Sequence, residues 1–231
     1  MDDGSTRLVE VSRRLAETLT PADLDSTLRN ITKAAVALLP SAHYASITVN
    51  HADGSMDSHA VTDELLLDLD AKQVEWREGP CFDGASDQPH VVSPDLRRDE
   101  RYPRYGAAAV AAGVRAQAGL RLYENVKSVG ALNLYSRSVG AFGDVQTLGR
   151  LFADQAAVAI SYATEVQNLH EALRTRTTIG QAVGIVMERF GLSDDRAFAF
   201  LTRLSNHRNV KLRLVAQEIV DSGAQQQSSE G

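Results

Sequence analysis

The chain has 231 residues, 43% of them hydrophobic and 23% charged, enough for one or two domains with a sizeable core. Its formal charge of −6 excludes a basic protein that coats nucleic acid through net charge alone. One cysteine, Cys81, excludes an internal disulfide and a multi-thiolate zinc site.

In chain order, Leu8, Val11, Leu15 and Leu19 recur at helical spacing until Thr20-Pro21. A second helix carries Leu24, Leu28, Ile31, Ala35, Leu38 and Leu39 and closes at Pro40. The period then falls to two. Ala45, Ile47 and Val49 face one way, and Tyr44, Ser46 and Thr48 the other. Asp53-Gly54 is a hairpin turn, with Ser55 to Thr62 as the partner strand. Leu65 to Trp76 reads as a helix whose acids, Asp68 and Asp70 among them, lie on its solvated surface. Glu78 to Pro94 is rich in glycine and proline and reads as a loop around Cys81. An alanine-rich helix from Arg104 to Ala112 precedes two strands, one with alternating Ala116, Ala118, Leu120 and Leu122, the other over Val126 to Tyr135. Four or five strands in one sheet with helices around it make an α+β domain. The longest apolar run, Ala107 to Val114, is far shorter than the roughly 20 residues of a membrane span. The first ten residues lack a signal-peptide pattern, so a cytoplasmic protein with no membrane partner is expected.

From Asp144 onward the pattern is helical. Leu148, Phe152, Gln155, Ala159, Tyr162, Val166, Leu169 and Leu173 step alternately by four and three, the seam of a parallel coiled-coil homodimer. Gln155 weakens that seam and sets its register. The helix continues to Phe190 and stops at Gly191. Ser193 is the next N-cap, with Asp194 and Asp195 in the first turn. Ala197, Phe200 (or Phe198), Leu201 and Leu204 form the buried stripe. A last helix buries Leu212, Val215, Ala216 and Ile219 and ends at Ser222-Gly223, before a glutamine- and serine-rich tail expected to be disordered.

Chemistry is sparse. His170-Glu171 lacks the second histidine of a zinc helix, no glycine-rich phosphate loop occurs, and Ser86 lacks the second glycine of a nucleophile elbow. The six histidines are scattered and read as solvated or singly hydrogen-bonded. Cys81 is either a semi-buried structural thiol or a redox or ligand-attachment point. No enzyme, metal or cofactor is expected. Charges nearly balance from residue 165 to 222, yet Arg203, Arg208, Lys211 and Arg213 cluster with no acid between Asp195 and Glu218. His207 and Asn209 lie inside that patch. Such side chains suit phosphate contact and reading of splayed loop bases.

The segment Glu171 to Arg176, Ile179-Gly-Gln-Ala182-Val-Gly184-Ile-Val-Met187, Gly191-Leu-Ser193, Ala197-Phe198, Leu201, Asn209-Val-Lys211-Leu212 and Val215-Ala216 resembles an ANTAR domain, a three-helix RNA-binding module of transcription antiterminators. Small residues at Ala182, Gly184 and Ala197 fit close packing of three short helices. The family usually carries a lysine where this chain has Val183. Glu78-Gly-Pro-Cys81, Val92-Ser-Pro-Asp95-Leu, Arg101-Tyr-Pro103, Gly113-Val-Arg115 and Gly130-Ala-Leu-Asn133-Leu134-Tyr, with the run from Ala141 to Ile160, resemble a GAF domain of the kind that precedes ANTAR in actinobacterial regulators. Asn133-Leu134 and a lone Asp144 depart from the cyclic-nucleotide-binding signature, and one cysteine disfavours methionine sulfoxide reduction.

The expected architecture is thus an N-terminal helix (1–22), a GAF-like sensor domain (23–145), a coiled-coil signalling helix (146–173), an ANTAR-like RNA-binding module (174–222) and a tail (223–231). The resemblance implies RNA contact by Arg176, Arg203, His207, Arg208, Asn209, Lys211 and Arg213. It also implies a ligand pocket or sensor loop at Cys81, Phe82 and Asn133. The expected partners are RNA hairpins in leader transcripts, a second copy of the chain, and a small-molecule or protein signal. The alternative is a GAF-type ligand-binding or dimerisation module whose helical tail binds protein or DNA.

Overall fold

A computed structural model of the chain describes residues 13, 23–39, 41–86, 88, 90–143 and 145–229; the side chains of residues 145–148, 151 and 223–229 lie outside that description. The expected helix over Leu8 to Leu19 falls almost wholly outside the described residues. Two units divide the chain, residues 1–164 and 165–231.

In the first unit, α1 (Leu24–Leu38) starts at Asp23, whose side chain accepts a hydrogen bond from Ser26 N at 2.9 Å. That N-cap satisfies a first-turn amide, and it holds the Asp23 carboxyl below its usual range. Strands β1 (Tyr44–His51) and β2 (Met56–His59) form the hairpin, with Gly54 at φ +84° in its turn. Then come α2 (Leu65–Trp76), α3 (Pro80–Ser86), β3 (His90–Ser93), α4 (Pro103–Ala111), β4 (Ala116–Glu124) and β5 (Ser128–Ser136). The five strands pair antiparallel throughout, in the order β2-β1-β5-β4-β3.

Helices cover both faces of this sheet. Ala45, Ile47, Ala116, Ala118, Leu120, Leu132 and Leu134 pack against α1 and the start of the long helix α5 (Val145–Phe190). Tyr44 and Tyr135 turn the other way and pack with Leu66, Leu69, Leu96, Tyr102 and Tyr105. The first six residues of β1 are therefore all buried, although their alternation of apolar and polar types looks half-solvated.

The segment read as a loop around Cys81 instead holds a helix and a strand. Pro80 supplies the fixed φ of a first helical position, and glycine lets α3 touch the sheet. A Cβ on Gly119 would stand 2.3 Å from the Pro80 carbonyl oxygen, and one on Gly84 would stand 3.4 Å from the Gly119 backbone. Glu78 fixes the same segment from outside. Its Oε2 accepts from the amides of Arg104 (2.9 Å) and Tyr105 (3.1 Å) at the start of α4, and Tyr102 donates to Asp83 at 2.5 Å. The Glu78-Gly-Pro-Cys81 and Arg101-Tyr-Pro103 segments are one structural device.

In the second unit, Ala182, Val183 and Val186 of α5 pack with Ala197 and Leu201 of α6 (Asp194–Arg208) and Val215 and Ala216 of α7 (Leu212–Ser229). Gly191, at φ +62°, ends α5, as its type suggests. Of the two alternatives on α6, Phe200 joins this core, its ring 5.8 Å from that of Phe190, while Phe198 is exposed. The backbone of α7 stays helical to Ser229, past the expected end at Ser222-Gly223. Gly184 also needs a different account: a Cβ there meets nothing within 4 Å, so packing does not demand its small size.

Candidate functional site

The α6–α7 turn gathers most of the basic patch. Asn209 ends α6 at φ +50°, its amide bonded back to Asn206 and Ser205, a left-handed position that asparagine tolerates well. Ser205 Oγ donates to the Val210 carbonyl at 2.6 Å and closes the turn. His207 and Arg208 occupy the last turn of α6, where a helix favours cations. Lys211 stands immediately before α7, its carbonyl accepting from Leu214 N at 2.8 Å, and Arg213 is in the first turn. That turn has no acidic residue, so two cations sit at the positive end of α7, against its dipole, beside amides with no intrahelical partner. Such an end attracts phosphate.

One member of the patch differs from expectation. Arg208 is not free: its guanidinium grips Glu218 of α7 at 2.6 and 3.3 Å, so this cation is neutralised and ties the two helices. Arg203 lies one turn before His207 on α6, exposed. Arg176 belongs to α5, three residues before Ile179, the first α5 residue packed in the three-helix core. It is exposed on a different helix from the patch. Val183, where the resembling family carries lysine, is buried in that core, so in this chain the position faces packing.

Along α5 the expected seam splits. Phe152 is wholly buried in the core of its own domain with Ala153, Ala156 and Ile160, and this corrects its assignment to a dimer seam. The sheet claims that side of the helix first. The side chain of Leu148 lies outside the described residues. Gln155, Ala159 and Val166 are half-buried, whereas Tyr162, Leu169 and Leu173 are more than half exposed, as is Val158 one turn before Tyr162.

In the sheet domain, Cys81 and Asn133 do meet, through Thr48. Asn133 Nδ2 donates to Thr48 Oγ1 (2.8 Å) and Ser46 Oγ (3.2 Å), and Thr48 Oγ1 lies 2.8 Å from Cys81 Sγ. The register sets Ser46 directly opposite Asn133. The network runs on through the Tyr135 hydroxyl to Asp70, which also accepts from Ser58 at 2.9 Å. Gln73 donates weakly to Asp70, accepts from Cys81 N (3.0 Å) and Gln117 (3.2 Å), and Tyr105 donates to Gln117 at 2.5 Å. Ser46, Thr48, Gln73, Cys81, Gln117 and Asn133 are all fully buried. Phe82, half-buried, takes no part in the network.

Burial, and then the charge of Asp70, pushes the Cys81 thiol well up, so it stays protonated and is no exposed redox point. Burial likewise raises the Asp70 carboxyl, against opposing hydrogen bonds from Tyr135, Ser46 and Ser58. Asp70 is 1% exposed and corrects its reading as solvated helix surface. The signal was present: Leu66, Leu69, Asp70 and Gln73 share one helical stripe, and all four are buried. Among the described residues no cluster of His, Cys, Asp and Glu could hold a metal ion, and no helix is long and apolar enough to cross a membrane.

The GAF domain family matches residues 21–161 and the ANTAR domain family residues 167–220. No curated protein matches the chain. Among solved structures, the N-acylhomoserine lactone dependent LuxR family transcription factor CepR2 of Burkholderia cenocepacia is similar over 68% of this chain and 98% of its own, at 14% identity and a TM-score of 0.54. The GAF domain of an Acinetobacter phosphoenolpyruvate-protein phosphotransferase is similar over 73% and 99%, at 14% identity and 0.51. The photosensory core of a Stigmatella aurantiaca phytochrome is similar over 86% and 44%, at 12% identity and 0.57. At these identities the likeness shows the fold alone. GAF domains are sensor modules and ANTAR domains RNA-binding antitermination modules, both regulatory rather than catalytic. The chain belongs to the GAF domain family and, with an ANTAR domain after it, is a GAF–ANTAR two-domain regulator.

Proposed function

We propose that this protein is a signal-responsive regulator that binds stem-loops in nascent leader transcripts and so causes transcription antitermination. A hairpin held by the protein keeps a competing terminator from forming. The observation that carries this reading is the acid-free start of α7, where Lys211 and Arg213 stand at the positive helix end, with His207 and Arg203 exposed on α6. Phosphates are drawn to the helix end, while His207 and the exposed Asn209 side chain are of a kind that reads unstacked loop bases. Arg208 holds α6 to α7, and Arg176 is a separate contact on α5.

Dimerisation through the exposed part of α5 gives two RNA-binding modules per assembly, and a pair of hairpins then gains from effective concentration. The signal acts on the dimer as a population shift.

The deciding experiment compares binding of the full chain to paired-hairpin RNA and to duplex DNA of equal length at two salt concentrations, with Lys211→Glu and Arg213→Glu as variants. RNA-selective binding that persists at the higher salt is expected, with each reversal weakening it by about tenfold or more. Equal, salt-labile binding to both nucleic acids, unchanged by the reversals, would sink the proposal in favour of a tail that binds protein.

A further inference from the structure

The network around Cys81 is buried, but the same domain opens elsewhere. Between the outer end of β4 and the start of α5 lies a cavity of about 490 Å³, within the range of small-molecule sites. A bulge makes it. Arg121 pairs with Ala131 and Tyr123 with Gly130, which leaves Leu122 without a cross-strand partner. Such a bulge re-aims side chains, and residues 120 to 124 all line the cavity. The pairing of β3 with β4 runs only as far as His90 opposite Leu120.

We infer that this cavity is a binding site for a small organic anion with an apolar body. Its walls are Leu120, Leu122, Tyr123 and Ala153, and its polar groups come from Arg121, His90 and Arg150. Two of those groups point to a missing partner. His90 Nε2 and Arg121 Nε are both sealed from solvent with no hydrogen-bond partner among the described residues, and buried polar atoms in proteins are nearly always paired. The terminal nitrogens of Arg121 are already engaged, by Glu124 at 2.6 Å and by the Ser86 carbonyl at 3.3 Å. These bonds use two of its five N–H groups, and Nε–H is among the three left over. Burial, and next the charge of Arg150, lowers the His90 pKa, so the ring is neutral near pH 7 and contributes a hydrogen bond rather than a charge.

Arg150 is in no ion pair among the described residues and supplies the free cation. The lining acids are Glu124, committed to Arg121, and Asp154, one turn after Arg150 with no ion pair to it. Asp154 opposes an anion, so it is a built-in control on the sign of the ligand. Arg150, Ala153 and Asp154 all lie on α5, so the ligand touches the helix that continues to Phe190. The site is read from residues of the first unit and does not rest on the RNA-binding proposal.

The test titrates the full chain, without RNA, with 8-anilinonaphthalene-1-sulfonate and with its uncharged counterpart N-phenyl-1-naphthylamine. One saturable site per chain is expected for the sulfonate probe. Arg150→Gln should weaken it by about tenfold and Asp154→Asn should tighten it, while the uncharged probe ignores both changes. Both side chains are exposed, so the thermal midpoint without probe should stay put and separates a binding effect from misfolding. Absence of a saturable site, equal affinity for the two probes, or sulfonate binding indifferent to both substitutions overturns the inference.

Discussion

Asp70 illustrates how one side chain can be misjudged from its type and understood from its stripe. Nothing in a carboxylate suggests burial, yet it occupies the same helical face as Leu66, Leu69 and Gln73 and meets the Tyr135 and Ser58 hydroxyls. Because burial raises its pKa, the folded protein holds the proton more tightly than the unfolded chain does. The stability this confers is complete below the unfolded value of about 3.9 and is lost as pH rises through the folded value. The difference in thermal midpoint between Asp70→Asn and the parent should therefore grow in favour of the variant as pH rises from about 4 to 7. A difference that stays flat across that range would mean that Asp70 is ionised in both states. Arg208 teaches the opposite lesson. The stretch from Asp195 to Glu218 has no acid in sequence, but folding α7 back along α6 brings Glu218 itself to the guanidinium.

Among the elements, α3 was hidden by its own composition. Two glycines and three prolines between Glu78 and Pro94 are ordinary loop signals, but here Pro80 starts a helix and Gly84 faces Gly119 across a backbone-to-backbone contact. Gly119→Ala should force α3 away from β4 and cost about 1–3 kcal/mol, read as a shift in the chemical denaturation midpoint at unchanged slope. A change of under about 0.5 kcal/mol would mean that α3 yields freely. The helix α5 shows the converse. Its heptad spacing is plain in the sequence, but spacing does not say which partner takes each position. Phe152 goes to the domain's own sheet, and the apolar surface still exposed from there to Leu173 is Val158, Tyr162, Leu169 and Leu173.

For the whole molecule, that exposed stripe is where the dimerisation proposal stands or falls. Leu169→Lys together with Leu173→Lys places two charges on it without touching either core. Sedimentation should then show a monomer, and affinity for a two-hairpin RNA should drop by about 10²-fold while affinity for one hairpin holds. A parent protein that is already monomeric, or a variant that keeps its two-hairpin affinity, rules the bivalent reading out. The division into a sheet-bearing half and a helical half was legible from the sequence, because a change of hydrophobic period from two to 3.6 is a local property of the chain. The same holds for α2, for the last strand pair and for the stop at Gly191. Tertiary structure alone decided that both sheet faces are covered, that Cys81 and Asn133 meet in a buried network, and that a cavity opens beside Arg121. Those outcomes depend on which surfaces meet across the fold, as Gly119 under Pro80 or Glu218 beside Arg208, and such contacts join residues that the sequence keeps apart.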